Sequence, residues 1–251
     1  MLRVSGVSKS FGGIAALNDV RLEVPRANIT GIIGPNGSGK TTLLNVIGGL
    51  LRPNAGKVML ADEDITELPV HDRARRGLTR TFQISRELGA LTVLENLLVS
   101  RLRQSGESIW KTFAYFHAVA REEENAVEAA RGILQRVGLW KLADDPAYFL
   151  SGGQKKLLEL SRALMIEPKI ILLDEPAAGV SPVMRAEIAE VIRSLRAEGV
   201  TFIIVEHDME MIAGLCDQVY VFAAGSNLTS GTFQQVVSDR RVVEAYLGGV
   251  L

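Results

Sequence analysis

The 251-residue chain has a single cysteine, Cys216, which has no partner for an internal disulfide. A small disulfide-stapled fold is therefore excluded, and a reducing compartment is expected. Charge of one sign is not in excess either, because 28 Lys and Arg residues face 29 Asp and Glu residues. This balance argues against a surface built throughout for nucleic acid, and we expect no nucleic-acid partner.

Long apolar runs are also missing. The start of the chain, MLRVSGVSKSFGG, has no apolar signal-peptide core, which predicts a mature N-terminus. The longest charge-free segment, 218–238, is interrupted by polar side chains and is too polar for hydrocarbon. No segment is therefore predicted to cross a membrane by itself. With 47% hydrophobic residues, the chain has the composition of a globular protein of one to two domains.

Short apolar or alternating runs predict strands in the first 60 residues. These runs are Leu2–Val7, Val20–Val24, Ile29–Ile33 and Lys57–Ala61. The third run stops at glycines and is followed by an uncharged segment, Thr41–Leu51. This order predicts a strand, a loop and a helix.

The last third of the chain predicts a parallel sheet. Buried-strand runs occupy Ile170–Leu173, Thr201–Val205 and Val219–Phe222. Between the first two, Pro182–Ala197 carries apolar residues at helical spacing, namely Ile188, Val191, Ile192 and Leu195. A strand, a helix and a strand in this order indicate a βαβ unit.

The middle of the chain is different in composition. From Thr92 to Gly138 the sequence is charged and favours helix. It predicts a helical subdomain, 86–166, inserted between two parts of an α/β core, 1–85 and 167–251. The aromatic segment from Trp110 to Phe116 is expected to pack inside that subdomain, with a partner-binding surface as the alternative.

A phosphate-binding loop is predicted at Gly34–Thr41, where GPNGSGKT matches G-x-x-x-x-G-K-[ST] between a strand and a helix. Glycines let backbone N–H groups turn toward phosphate oxygens, and the helix N-terminus adds partial positive charge. We expect Lys40 to reach the β- and γ-phosphates and Thr41 to bind Mg²⁺. An ordinary glycine-rich turn with an exposed lysine is the competing interpretation.

Two carboxylates end the next predicted core strand, in KIILLDEP. Successive side chains of a strand point to opposite faces, so Asp174 and Glu175 can take different roles. We assign Asp174 to the metal ion and Glu175 to the attacking water. A third strand end carries Glu206, His207 and Asp208. Because parallel strands share one carboxyl edge, His207 is expected to approach the γ-phosphate.

The segment Leu150–Gln154 reads LSGGQ and precedes a predicted helix. Ser151 is a suitable N-cap, and Leu157, Leu160 and Leu164 form one apolar stripe. A helix start alone does not explain two adjacent glycines, which destabilise a helix interior by roughly 1 kcal/mol each. We therefore interpret them as allowing close backbone approach to an anion.

In this order the motifs resemble those of the nucleotide-binding subunits of ATP-binding cassette (ABC) transporters, over essentially the whole chain. The resemblance implies an α/β fold: a P-loop NTPase core with a mainly parallel sheet, an N-terminal antiparallel β subdomain and an inserted α-helical subdomain. It implies ATP and Mg²⁺ as cofactors and Lys40, Glu175 and His207 as catalytic residues. Thr41, Gln83 and Asp174 would form the metal site.

The same resemblance implies the nucleotide contacts and a head-to-tail dimer with a second, identical or paralogous ATPase subunit. Phe11 would stack on adenine, and the phosphate-loop contacts would be Gly34, Pro35, Asn36, Gly37, Ser38, Gly39, Lys40, Thr41 and Thr42. The signature residues Ser151, Gly152, Gly153 and Gln154 would contact the γ-phosphate in the partner's site. Gln83 would link the metal site to the transmembrane partner.

A closer resemblance is to the ATPase subunits of branched-chain amino acid importers. It is carried by TRTFQ, LTVLENLLV, DEPAAGVSP, VEHDM and EAYLG, at 79–83, 91–99, 174–182, 205–209 and 244–248. It implies two separate permease subunits, a solute-binding protein acting indirectly, and a peripheral position on the cytoplasmic face of a prokaryotic membrane. Importers of urea and short-chain amides share much of this pattern.

One residue departs from the family pattern, since Ser181 stands where an aspartate is usual, seven residues after Asp174. Followed by Pro182, it is a good local helix start. Two other functions stay open: a non-transport ABC protein that binds ribosomes or DNA, and a P-loop kinase or GTPase. The second leaves LSGGQ unexplained.

Overall fold

The computed structural model describes residues 1–81, 88–101 and 116–247. Gln83 and most of the aromatic segment 110–116 lie outside these ranges. The strands in these ranges are β1 (Leu2–Phe11), β2 (Ile14–Val24), β3 (Ile29–Ile33), β4 (Ala55–Leu60), β5 (Glu63–Asp64), β6 (Leu78–Arg80), β7 (Ile170–Asp174), β8 (Thr201–Val205), β9 (Gln218–Ala223) and β10 (Ser226–Gly231).

The α-helices in the same ranges are α1 (Lys40–Ile47), α2 (Val70–Arg75), α3 (Val93–Leu98), α4 (Phe116–Arg136), α5 (Gly152–Leu164), α6 (Pro182–Ala197), α7 (Met209–Leu215), α8 (Phe233–Val237) and α9 (Arg240–Leu247). Two short 3-10 turns, Trp140–Leu142 and Ala147–Phe149, precede α5. Within the described ranges, no helix is both long and apolar enough to span a bilayer.

The strands form two sheets. One has the order β2-β1-β4-β5 and is antiparallel, and the other has the order β10-β9-β3-β8-β7-β6. In the second sheet the strands from β9 to β6 run parallel, and β10 pairs antiparallel with β9. The predicted combination of a mainly parallel sheet with an N-terminal antiparallel sheet is confirmed.

Two element boundaries differ from the prediction for local reasons. The β1–β2 hairpin extends to a tight Gly12-Gly13 turn with both residues at positive φ. Its tip is exposed and therefore lacks the apolar pattern that predicts a strand. Helix α1 ends at Ile47 rather than Leu51, because Gly49 adopts φ +83° and the amides of Leu50 and Leu51 fold back onto the Asn45 carbonyl.

Three groups of buried side chains hold the layers together. One lies between the two sheets and includes the buried side of α1, and one joins β3 and β9 to α7, α8 and α9. The third contains Leu134 of α4 and Leu157 of α5 together with Ile171 and Phe202 of the parallel sheet. The helical segment thus packs on the sheet through a continuous core, and its limits at 86 and 166 stay a prediction.

Candidate active site

The phosphate-binding loop connects β3 to α1, as predicted. Gly34 and Gly39 have φ values of +153° and +100°, which favour glycine. A Cβ atom on Gly34 would lie 2.2 Å from the Phe222 carbonyl oxygen, and one on Gly39 would lie 2.5 Å from that of Ala16. These two glycines are therefore required by neighbouring backbone of the same chain, whatever they contribute to phosphate binding.

Lys40 is buried at the first turn of α1. Its Nζ donates to the carbonyl oxygens of Gly34 and Pro35, at 2.7 and 2.9 Å. An ammonium has three donors, so this geometry leaves capacity for a phosphate oxygen. Burial lowers the pKa of Lys40, and the carboxylates of Glu175 and Asp174 oppose that shift.

The other loop residues differ in exposure. Asn36, Gly37 and Thr41 are exposed, and Thr42 is half-buried. Ser38 is buried, and its Oγ has no hydrogen-bond partner among the described residues. An unpartnered buried hydroxyl beside the loop is consistent with a site that binds a polar group from outside the chain.

Asp174 is the last residue of β7 and is only 1% exposed. Its Oδ2 accepts from the guanidinium of Arg80 at 2.9 Å, whereas Oδ1 has no partner in the described part of the chain. Burial raises the pKa of Asp174, and Arg80 acts against this shift. The same guanidinium donates to Oδ1 of Asn45 in α1. Sequence patterns gave no role to Arg80 beyond its place in TRTFQ.

Glu175 and His207 face each other across the ends of β7 and β8. His207 Nε2 lies 3.3 Å from Glu175 Oε1, and both side chains are partly exposed. Glu175 has φ +51°, an unfavourable conformation for a residue with a side chain, and its N–H donates to the Val205 carbonyl. A strained residue that surrounding structure holds in place is typical of functional sites.

Glu206 holds these two strand ends together. It is 4% exposed, and its Oε1 accepts from the amide of Ala177 at 2.8 Å. Its Oε2 accepts from the amides of His207 and Asp208 at 2.8 and 3.3 Å. The sequence places Glu206 at a strand end but does not indicate this role, which needs the DEP turn from another strand.

The signature segment begins helix α5 in a capping box. Ser151 Oγ accepts from the Gln154 amide, and Gln154 Oε1 accepts from the Ser151 amide. The predicted N-cap is confirmed. The two glycines have different surroundings: a Cβ on Gly152 would meet nothing within 4 Å, whereas one on Gly153 would lie 2.1 Å from Met184 Cγ. Packing within the chain thus explains why residue 153 is a glycine, whereas nothing in the described residues crowds Gly152.

The aromatic residue expected to stack on adenine is Phe11, at the end of β1. It is 45% exposed, and Lys9 Nζ lies 5.3 Å from its ring centroid. The hairpin that carries Phe11 packs beside the phosphate loop, because Ala16 of β2 contacts Gly39. Ser181 caps α6 by accepting from the Met184 amide, as its local sequence predicts.

The C-terminal helix α9 also contacts the loop. The hydroxyl of Tyr246 is buried against the backbone of Gly34. Burial raises the pKa of Tyr246, and the nearby backbone of Gly34 acts against this shift, although the hydroxyl has no hydrogen-bond partner among the described residues. EAYLG therefore contains a residue that touches the phosphate loop, which a sequence pattern alone does not reveal.

The structure brings Lys40, Asp174, Glu175 and His207 to one edge of the parallel sheet, with Phe11 on the neighbouring hairpin. This arrangement of a phosphate loop, a strand-end carboxylate pair and a facing histidine is that of a nucleotide-hydrolysing P-loop protein. The family model "ABC transporter" matches residues 17–178. The chain belongs to the ATP-binding subunits of ABC transporters, which bind nucleotide and hydrolyse ATP.

Within this family the chain is similar to proteins of one branch. It is 43% identical to the probable branched-chain amino acid transport ATP-binding protein LivG of Archaeoglobus fulgidus, covering 99% of this chain and 95% of that protein. It is 39% identical to the high-affinity branched-chain amino acid transport ATP-binding protein BraF of Pseudomonas aeruginosa, with 99% and 98% covered. The family model "Branched-chain amino acid ATP-binding cassette transporter" matches residues 227–250.

Solved structures agree with this assignment. A nucleotide-free ATP-binding cassette from an ABC transporter is 41% identical and superposes with a TM-score of 0.86, covering 98% of both chains. A second cassette, 26% identical with a TM-score of 0.76 over 93% of this chain and 99% of its own, is dimeric and bound to ADP and phosphate. The predicted fold class is confirmed by both.

Proposed function

We propose that this ABC ATPase powers the uptake of branched-chain amino acids through separate membrane-spanning permease subunits. The observation that carries the proposal is the C-terminal segment: a family model named for this transport matches 227–250, and the same segment places Tyr246 against Gly34 of the phosphate loop. Full-length relatives at 37–43% identity carry the same transport in their names. The C-terminal segment that distinguishes branched-chain amino acid transport ATPases thus lies against the phosphate-binding loop.

Three residues carry the hydrolytic chemistry in this proposal, and a fourth binds the base. Lys40 binds the β- and γ-phosphates with the donor capacity that remains after its two carbonyl contacts. Glu175 orients the attacking water and accepts its proton, and His207 hydrogen-bonds at the γ-phosphate while keeping Glu175 in place at 3.3 Å. Phe11 stacks on the base. Because Glu175 is held by its backbone and by His207, little reorganisation is needed at the moment of reaction.

The residues present fit a magnesium ion. Asp174 offers a buried carboxylate oxygen without a partner in the described ranges, and Thr41 places a hydroxyl at the start of α1. Oxygen ligands of this kind, together with substrate phosphates and water, are those Mg²⁺ prefers. When bound, the ion neutralises charge on the β- and γ-phosphates. Gln83, assigned to the same site, lies outside the described residues and stays a proposal.

A second cassette completes each site. Ser151 and Gly152 are exposed at the N-terminus of α5, where the helix dipole favours an anion. Gln154 is committed to the capping box, so its contribution is to hold Ser151 in position. We infer a head-to-tail dimer in which this helix end covers the γ-phosphate of the partner. The membrane-spanning part is then supplied by two permeases, and the ATPase lies on the cytoplasmic face of the membrane.

The experiment that tests this proposal reconstitutes the full complex. The chain is co-expressed with candidate permease subunits, with or without a paralogous second cassette, placed in proteoliposomes, and supplied with a candidate solute-binding protein. We expect leucine, isoleucine or valine to stimulate ATP hydrolysis and to accumulate, whereas urea and acetamide do neither. Stimulation by urea or an amide alone would reject the branched-chain assignment, and copurification with ribosomes or DNA instead of permeases would reject transport.

A variant pair separates the chemistry from the assembly. Glu175→Gln is expected to slow hydrolysis by about 10²- to 10⁴-fold because the water loses its base. Nucleotide binding should be unchanged. Glu190→Gln is the control, since Glu190 is exposed on α6 and pairs only with Arg193 in the contacts described. Hydrolysis at the wild-type rate by Glu175→Gln would remove Glu175 from its assigned role.

A further inference from the structure

Arg80 connects two parts of the site that the catalytic assignments treat separately. It ends β6, next to β7 in the sheet, and its side chain is 9% exposed. One terminal nitrogen donates to Asp174 Oδ2 at 2.9 Å, and the other donates to Asn45 Oδ1. A planar guanidinium can hold two acceptors at a fixed distance and angle, which a lysine ammonium cannot do.

The helix partner in this bridge lies on a functional face. Asn45 follows Thr41 by four residues in α1, so both side chains lie on the same face of the helix. Arg80 therefore ties the carboxylate of Asp174 to the helix face that carries the Thr41 hydroxyl. Thr41 and Asp174 are the two residues of the proposed metal site that lie within the described ranges; Gln83 does not.

The two oxygens of Asp174 are not equivalent as a result. Oδ2 is held by Arg80, while Oδ1 is buried and has no hydrogen-bond partner among the described residues. Buried carboxylate oxygens are normally satisfied, so an oxygen without a partner in the described part of the chain is available to a metal ion. By binding Oδ2, Arg80 determines that Oδ1 is the oxygen available to the ion.

We propose that Arg80 is a positioning residue for the metal–nucleotide complex: it holds Asp174 and, through Asn45, helix α1 in the relative placement that lets Asp174 Oδ1 and Thr41 act on one ion. The inference rests on the proposed metal role of Asp174. It assigns a function to the arginine of TRTFQ.

A competing role for Arg80 predicts the opposite change in metal affinity. If Arg80 were a competitor that occupies Asp174 until metal displaces it, removing the arginine would free the carboxylate and remove a repelling positive charge. Metal would then bind more tightly. If Arg80 positions Asp174, its loss weakens metal binding even though a positive charge has been removed.

The experiment measures the affinity of the full chain for a fluorescent ADP analogue, once with Mg²⁺ and once with EDTA. ADP avoids turnover, and the EDTA value reports the phosphate loop without metal. In Arg80→Lys the charge stays and the bridge is lost. We expect its Kd in Mg²⁺ to rise about tenfold, the lower end for loss of a metal-supporting partner, with the EDTA value within about twofold of wild type. Arg80→Met should change in the same direction.

Arg76→Met is the matched control, because Arg76 is another arginine near β6 that pairs with Glu63 at the surface. It should leave both values unchanged. Tighter Mg²⁺-dependent binding by Arg80→Met would establish the competitor role and overturn the proposal. Equal changes in both media would overturn it, since Arg80 would then act on the phosphate loop, and failure of both variants to fold would show that Arg80 acts on the fold. No change in either medium would show that Arg80 has no positioning role. A wild-type protein indifferent to Mg²⁺ would instead remove the proposed metal site itself.

Discussion

The two glycines of the signature are predicted to tolerate alanine very differently. A methyl group on Gly153 would lie 2.1 Å from Met184 Cγ and 3.0 Å from its Sδ, whereas one on Gly152 would meet nothing within 4 Å. Overpacking of this kind typically costs about 1–3 kcal/mol, offset by up to about 1 kcal/mol for replacing glycine in a helix. We expect Gly153→Ala to lower the free energy of unfolding by about 1–2 kcal/mol net, and Gly152→Ala to leave it unchanged or raise it slightly.

The assay is thermal unfolding of the isolated chain without nucleotide. For a chain of this size about 1 kcal/mol shifts Tm by about 2–4 °C, so Gly153→Ala should melt about 2–8 °C below wild type. The second arm is the double variant Gly153→Ala, Met184→Ala, in which the shortened side chain makes room for the methyl group. The double variant should be more stable than the sum of the two single changes predicts.

Two results would refute this reasoning. Equal Tm values for Gly152→Ala and Gly153→Ala would show that the contact with Met184 does not decide the need for glycine. A double variant that is simply additive would show the same. ATP hydrolysis by the assembled transporter gives the complementary readout, since Gly152→Ala should lower the rate by crowding the partner's phosphate while leaving the chain stable.

Two further predictions follow from buried groups. Glu206→Gln removes the charge that accepts hydrogen bonds from three amides, each worth about 1.5–3 kcal/mol. It should therefore lower Tm by several degrees and slow hydrolysis, whereas Glu210→Gln, at an exposed position, should do neither. An unchanged Tm for Glu206→Gln would contradict the role given to Glu206. Burial raises the pKa of Cys216 to about 12, so at pH 8 the folded chain should react with iodoacetamide about a thousandfold more slowly than the chain in urea; equal rates would contradict the burial. Because this raised pKa favours the neutral thiol, the stability it gives is present below the ordinary value of 9.0 and is lost as pH rises toward 12.

Local features of the fold could be read from the sequence. The phosphate loop, the strand ends at Asp174 and Glu175, and the helix starts at Ser151 and Ser181 depend on a few consecutive residues, and the structure has them where the sequence predicts. Capping, glycine conformation and strand periodicity act over one turn or one strand. A window of that length is sufficient to recognise them.

Features that depend on distant residues could not be read in this way. Strand β6 has three residues and ends in a charged one, so no periodicity marks it, yet it delivers Arg80 to Asp174 across 94 positions of sequence. Gly153 and Gly152 look alike in LSGGQ, and they are distinguished only by a methionine from another helix. Glu206 likewise needs the amide of Ala177, which a separate strand supplies.

The charges of the site are relevant to the proposed dimer. Lys40, Arg80 and Lys156 are opposed by Asp174, Glu175 and Glu206, so the described ionised groups around the loop approximately cancel. A triphosphate adds several negative charges to a partly buried site, where they are poorly screened. Helix α1 contributes only a partial positive charge at its N-terminus. In the proposed head-to-tail dimer, a bound cation and the N-terminus of a second α5 would add positive charge at this site.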